Sequence, residues 1–273
     1  MKKQIASIKK NLVLIKKKDP NYCISILGCG WLGLPLARQL VQQGHQIKGS
    51  TTSQEKIEVM KSIGIIPYLI KLTEEEPQWV DFLKTDVLVI TIPIKEIKPF
   101  KYLIKTLAST VKIIYTSSTA IYLPSKEPIN EKNALDTQHP LLAIEQVIRN
   151  SGNPSTIIRL AGLFDQRRHP GRWFANKVLT HPNGPVNLIH LDDCLGIIEK
   201  IITHQVWNEI FNACANEHPS RKDFYSRASR ALGSPPPQIN EQKTSIKIID
   251  NRWIKKKLDF SFHVSLNDFE KYV

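Results

Sequence analysis

No apolar run in this 273-residue sequence approaches the roughly 20 residues that a membrane-spanning helix needs, so a helical span is excluded. Cysteine is scarce. Cys23, Cys29, Cys194 and Cys214 are too few and too scattered for a disulfide framework, and none stands at metal-ligand spacing. A chain of this length buries enough apolar surface to need no covalent staples, and a reduced, cytoplasmic setting is expected. Acidic residues are in deficit as well: 25 Asp and Glu face 38 Lys and Arg, a formal net charge of +13. No internal repeat is visible.

The basic excess is uneven. Residues 1–20 hold seven lysines against the single acid Asp19 and so supply six of the thirteen charges. A lysine-rich tail can touch nucleic acid or anionic lipid. No aromatic residues interleave with these lysines, however, so a solvated basic extension is expected and nucleic acid is not the expected partner. Residues 11–15 are too short an apolar stretch for a secretory signal.

From Tyr22 onward, short apolar runs alternate with segments of helical period. Runs at 23–27, 45–49, 65–70, 86–92, 111–115 and 155–160 read as strands. Helices are predicted near 53–62, 75–83, 97–107 and 141–149, and a further one opens on Leu32, Leu36 and Leu40. Such alternation predicts crossover units and a parallel sheet: an α/β, Rossmann-type, doubly wound fold. Helices near 193–203 and 221–232 and strands at 209–212 and 245–249 are expected further on. The expected organisation is a basic extension (1–20), a dinucleotide-binding domain (21–160) and a small C-terminal substrate lobe (161–273) interleaved with it.

Gly28-Cys29-Gly30-Trp31-Leu32-Gly33 fits G-x-G-x-x-G, and here it follows a strand and opens an amphipathic helix. Gly28 permits a tight turn, Gly30 lets backbone approach a diphosphate, and Gly33 lets helix and sheet pack closely. The N–H groups and dipole of the helix, beginning at Trp31 and Leu32, then face the anion. An NAD site usually places an acid at the end of the second strand. Here that end reads Ser50-Thr51-Thr52, with Lys56 nearby, which suits a 2′-phosphate. NADP is therefore the favoured cofactor and NAD the alternative. Thr91 and Pro93, at the carboxyl end of the strand 86–92, complete the cofactor-binding set.

Four segments carry a resemblance to a known family: Gly28 to Gly33; Tyr115-Thr116-Ser117-Ser118-Thr119-Ala120-Ile121-Tyr122; Arg159-Leu160-Ala161-Gly162-Leu163-Phe164; and Val186-Asn187-Leu188-Ile189-His190-Leu191-Asp192-Asp193. From Tyr22 to the C-terminus the chain resembles the extended short-chain dehydrogenase/reductases, the nucleotide-sugar epimerase and dehydratase-like proteins, and within them an atypical bacterial subfamily. The resemblance implies that Ser118 contacts substrate. It also implies a Tyr-x-x-x-Lys pair about twenty residues later, in which the lysine lowers the tyrosine pKa. This sequence departs there, because those positions fall near Thr137 and Leu141. Tyr122 and His139 are the remaining acid/base candidates beside Ser118, and His139 before Pro140 also reads as an ordinary surface histidine. A second departure follows the third strand, where Ile70-Lys71-Leu72 replaces the acid that holds adenine in related enzymes.

Asp165-Gln166-Arg167-Arg168-His169-Pro170-Gly171-Arg172-Trp173 is a cationic, aromatic loop after a sheet strand, where α/β folds place ligands. Arg167, Arg168, His169, Arg172 and Trp173 form the expected substrate-binding set, suited to an anionic small molecule. A solvated basic loop with a buried tryptophan is the alternative. Asp192 or Asp193 is expected to cap the helix that follows. Two functions fit: an NAD(P)-dependent oxidoreductase or epimerase-like enzyme acting on an anionic or nucleotide-linked substrate, and a catalytically silent NADP-binding sensor or scaffold.

Overall fold

The structure is a computed structural model that describes residues 21–72, 79–175, 177–241 and 246–273. The basic extension, the first turn of the helix expected at 75–83 and residue 245 lie outside these. Seven parallel strands make one sheet: β1 (Cys23–Leu27), β2 (Gln46–Thr51), β3 (Ile66–Leu69), β4 (Val87–Ile90), β5 (Lys112–Ser118), β6 (Ser155–Leu160) and β10 (Ile210–Ala213). Their spatial order is β10-β6-β5-β4-β1-β2-β3. The chain steps outward from β1 to β3 and then returns to the other side of β1 with β4. This reversal opens a crevice at the carboxyl ends of β1 and β4, where ligands bind in such sheets.

Helices cover both faces, so strand residues are apolar on both sides. Ile24 and Ile26 of β1 and Val87 and Val89 of β4 face one core cluster, and Leu27, Leu88 and Ile90 face the other. The first cluster takes Leu36, Ala37 and Leu40 from α1 (Gly33–Gln42), Met60 from α2 (Lys56–Ser62), Ile197 and Ile201 from α6 (Leu191–Thr203), and Ile254 from α8 (Arg252–Leu258). The second takes Trp79 and Phe82 from α3 (Trp79–Phe82), Phe100 and Leu103 from α4 (Lys98–Thr106), and Ile144 and Ile148 from α5 (Pro140–Arg149).

The C-terminal part adds two small parallel pairs. β7 (Gly162–Phe164) lies beside β9 (Leu188–His190), and β8 (Val178–Thr180) beside β11 (Gln238–Asn240). With α7 (Arg221–Ala231) they surround a third cluster that includes Phe164, Leu179, Phe224 and Phe269. β10, from the same part of the chain, sits at the edge of the main sheet beside β6.

Two sequence expectations are corrected. Residues 246–249 form no strand and make one bridge, Ile249 to Ile129. Neither Asp192 nor Asp193 caps α6: the Nδ1 of His190 accepts the Asp192 N–H at 3.2 Å. Asp193 is fully buried instead, and its carboxylate accepts the N–H groups of His263 (2.8 Å) and Val264 (3.3 Å), pinning the C-terminal segment to α6.

Candidate functional site: a cleft at the sheet's switch point

The three glycines of the loop stand in three different surroundings. Gly28 has φ +105°, and a Cβ there would meet the Ile92 side chain at 2.5 Å. A Cβ on Gly33 would meet the Gly28 carbonyl oxygen at 2.2 Å and Thr91 Oγ1 at 2.8 Å, so helix and loop touch through that glycine. A Cβ on Gly30 would meet nothing within 4 Å, because this glycine faces open space. Thr91 braces the loop by donating from Oγ1 to the Gly28 carbonyl at 2.7 Å, and Ser50 Oγ accepts the Gly28 N–H at 2.8 Å. The backbone N–H groups of Trp31 and Leu32 find no acceptor among the described residues. Two such donors at the start of α1, beside an open glycine, suit a diphosphate.

The loop separates two hollows that share Gly30 and Ile92. The smaller, of about 170 Å³, is lined by Ser50, Thr51, Thr52, Lys56, Ile70 and Leu72, among others. The apolar pair Ile70 and Leu72 stands where the resemblance expects an acid, and it makes a slot suited to the faces of a base. Burial pushes the Cys29 thiol of this hollow up to about 12, so it is a neutral wall. Ser50 is committed to Gly28, and Thr51 Oγ1 accepts the Ser53 N–H at 3.1 Å, which leaves Thr52 and Lys56 as the exposed polar groups.

The larger cleft, of about 510 Å³, runs over the carboxyl ends of β4, β5 and β6. Trp31, Leu32, Thr91 and Pro93 line it, as do Ser118 and His139. Ser118 ends β5, and its Oγ accepts the Ala120 N–H at 3.1 Å. His139 is the N-cap of α5: its Nδ1 accepts the Leu141 N–H at 3.3 Å, which leaves Nε2 to carry the proton of the neutral ring. Leu141, at the position expected for the family's lysine, presents an apolar surface to the same cleft.

Tyr122 is corrected as an acid/base candidate. It is 3% exposed, does not line the cleft, and both hydrogen-bonding capacities of its hydroxyl are taken. The hydroxyl accepts from Arg159 Nη1 at 2.7 Å and donates to Asn212 Oδ1 at 2.7 Å. Burial pushes its pKa up to about 12 despite Arg159. It belongs to a buried network in which Glu145 takes Arg159 Nη2 at 2.7 Å and Ser117 Oγ at 2.5 Å.

The structure separates the members of the Arg-rich loop. Of its five expected ligand groups only Arg168 lines the cleft. Arg167 pairs with Asp165 at 3.2 Å. His169 is buried and caps a short 3₁₀ turn by accepting the Gly171 N–H at 3.0 Å. Arg172 is exposed, and Trp173 packs beside Tyr225 on the third core cluster. Trp173 is thereby spent on packing. Sequence reasoning missed Lys95, which follows β4 and lines the cleft, and Tyr115, whose buried hydroxyl has no hydrogen-bond partner among the described residues. No motif marks Lys95, and Tyr115 opens one of the four resemblance segments without having been singled out.

Strand order, glycine loop and cleft together define a Rossmann-type α/β fold of the kind that binds dinucleotides. The chain belongs to the family of protein YeeZ of Escherichia coli, to which it is 34% identical over 263 residues, covering 88% of this chain and 95% of YeeZ. Residues 23–117 match the family model described as NADP oxidoreductase, coenzyme F420-dependent. Among solved structures, the chain is similar to a short-chain dehydrogenase/reductase superfamily protein from Agrobacterium tumefaciens with bound NAD, with TM-score 0.77, 13% identity and coverage of 91% and 95%. A UDP-glucuronic acid 4-epimerase from Bacillus cereus in complex with NAD gives TM-score 0.76 at 17% identity, covering 92% and 96%. At these identities the likeness is one of fold.

Proposed function

We propose that the protein is an NAD(P)-dependent oxidoreductase or epimerase-like enzyme that binds NADP along the glycine loop and acts on a small anionic or nucleotide-linked substrate. The observation that carries this reading is the open face of Gly30, set between a base-sized apolar slot and a cleft that holds Ser118 and His139. Gly28, Gly30, Gly33 and the N–H groups of Trp31 and Leu32 would hold the diphosphate. Thr52 and Lys56 would hold the 2′-phosphate, and Thr91 and Pro93 would wall the nicotinamide side. The bound nicotinamide would supply or accept a hydride.

Ser118 and His139 are hydrogen-bond donors as they stand. Ser118 accepts from Ala120 and keeps its own hydroxyl proton, and His139 accepts at Nδ1 and keeps the proton on Nε2. Two such donors, were they to reach one substrate oxygen, would polarise a carbonyl and favour its reduction. Lys95 and Arg168 are the cations on the cleft wall and favour an anionic ligand. A second reading, a silent NADP sensor, is supported by Leu141, whose apolar side chain cannot activate a phenol.

Fluorescence titration with NADPH and NADH tests the cofactor assignment. NADPH is expected to bind tighter by on the order of tenfold, about 1.4 kcal/mol, and Lys56→Ala is expected to remove the difference. A preference for NADH overturns the NADP assignment. NADPH binding without turnover of any keto acid or nucleotide sugar replaces the enzyme reading with the sensor.

A further inference from the structure

The turn 165–168 lies just after β7, yet it closes onto the glycine loop near the other end of the sequence. Asp165, 6% exposed, organises it. One carboxylate oxygen accepts the Arg168 N–H at 2.7 Å and the other accepts from Arg167 Nε at 3.2 Å. Arg167 Nη2 reaches the Trp31 carbonyl at 3.5 Å, and the Arg168 guanidinium lies 4.6 Å from the centroid of the Trp31 ring. A guanidinium held over a ring in this way still has N–H groups that can donate elsewhere. No carboxylate among the described residues forms an ion pair with Arg168.

Trp31 directly follows Gly30, and both line the same cavity as Arg168. The Arg168–Trp31 contact therefore holds a cation beside a stretch of the cleft where a glycine lies open and two backbone N–H groups lack acceptors among the described residues. Those donors are neutral, whereas a diphosphate bridge carries two negative charges. Lys95, the other cation on the wall, comes from the β4 side. We propose that Arg168 neutralises the cofactor's diphosphate rather than a substrate anion. The Asp165–Arg168 turn is then a clamp that the C-terminal lobe lays over Trp31. This rests on the dinucleotide reading above and adds to it a binding residue from outside the nucleotide-binding half of the chain.

The test compares three ligands on wild type and Arg168→Gln: NADPH, ADP-ribose, and adenosine 2′-phosphate, which has no diphosphate. Calorimetry is expected to show NADPH and ADP-ribose weakened by on the order of tenfold, about 1.4 kcal/mol, with adenosine 2′-phosphate unchanged. The salt dependence of ADP-ribose binding is expected to flatten in the variant, because one charge contact is gone. Arg168→Lys, which keeps the charge and loses the guanidinium over the Trp31 ring, is expected to fall between the two. Equal ADP-ribose affinity in wild type and Arg168→Gln overturns the assignment and returns Arg168 to the substrate side. Weakening of all three ligands alike also overturns it, since the defect then lies elsewhere than the diphosphate. If wild type binds none of the three, the dinucleotide reading itself falls, a result distinct from either.

Discussion

The α-carbon of Gly33 faces the carbonyl oxygen of Gly28 so closely that an added methyl group would stand 2.2 Å from that oxygen, while Gly30, between them, faces open space. Two glycines of one motif therefore answer to different constraints. Gly33→Ala is expected to destabilise the fold by on the order of 1–3 kcal/mol, the usual cost of overpacking. Gly30→Val is expected to leave stability within about 0.5 kcal/mol, as for an unconstrained surface site, and to abolish NADPH binding. Urea denaturation and fluorescence titration read the two effects separately. A folded Gly30→Val protein with unchanged affinity would falsify the placement of the diphosphate.

Substrate turnover distinguishes the cleft residues from the buried one. On a substrate found by screening keto acids and nucleotide sugars with NADPH, Ser118→Ala and His139→Gln are each expected to lower kcat by on the order of a hundredfold. Tyr122→Phe is expected to keep its rate and to lose about 1 kcal/mol of stability, because Arg159 and Asn212 each lose a hydrogen-bond partner. A loss of rate confined to Tyr122→Phe would reverse these roles.

Burial, aided by the Arg172 charge, lowers the pKa of His169. Burial lowers His218 in the same direction, against weaker opposing contacts. In both cases the folded state disfavours the proton that the unfolded chain takes up below about pH 6.5. Their contribution is complete above that pH and is lost as pH falls through the folded values. Stability measured by denaturant titration is therefore expected to drop on acidification from pH 7 to 5. His169→Asn, which keeps a capping acceptor, is expected to flatten the slope, leaving the part due to His218. An unchanged slope in that variant would remove His169 from the account.

Glu145 and Arg159 are 1% and 2% exposed, and breaking such a pair strands a charge in the core. Glu145→Leu is expected to cost about 3–5 kcal/mol. The double variant Glu145→Leu with Arg159→Met is expected to cost less than Glu145→Leu alone, since no unpaired charge remains. A double-mutant cycle measures the coupling, and strict additivity of the two changes would exclude it.

Residue order alone determined the strand and helix alternation, the glycine loop and the candidates Ser118 and His139. These rest on local physics: strand period, an apolar stripe, and a turn that only glycine makes without strain. The boundaries moved by a few residues, as at β5, which runs on to Ser118 because it pairs with β6 along that whole stretch. The fate of each polar group was decided only in three dimensions. Tyr122 and Ser118 stand four residues apart in one segment, and nothing in their spacing says which faces the cleft. Tyr122 is turned inward because Arg159 of β6 and Asn212 of β10 wait there, both from distant parts of the chain. The Arg-rich loop divided in the same way. His169 and Trp173 were drawn into capping and packing, whereas Arg168 stayed on the cleft because Trp31, 137 residues earlier, offers its ring. A polar side chain takes whichever partner the fold brings within reach, and sequence separation carries no record of that distance.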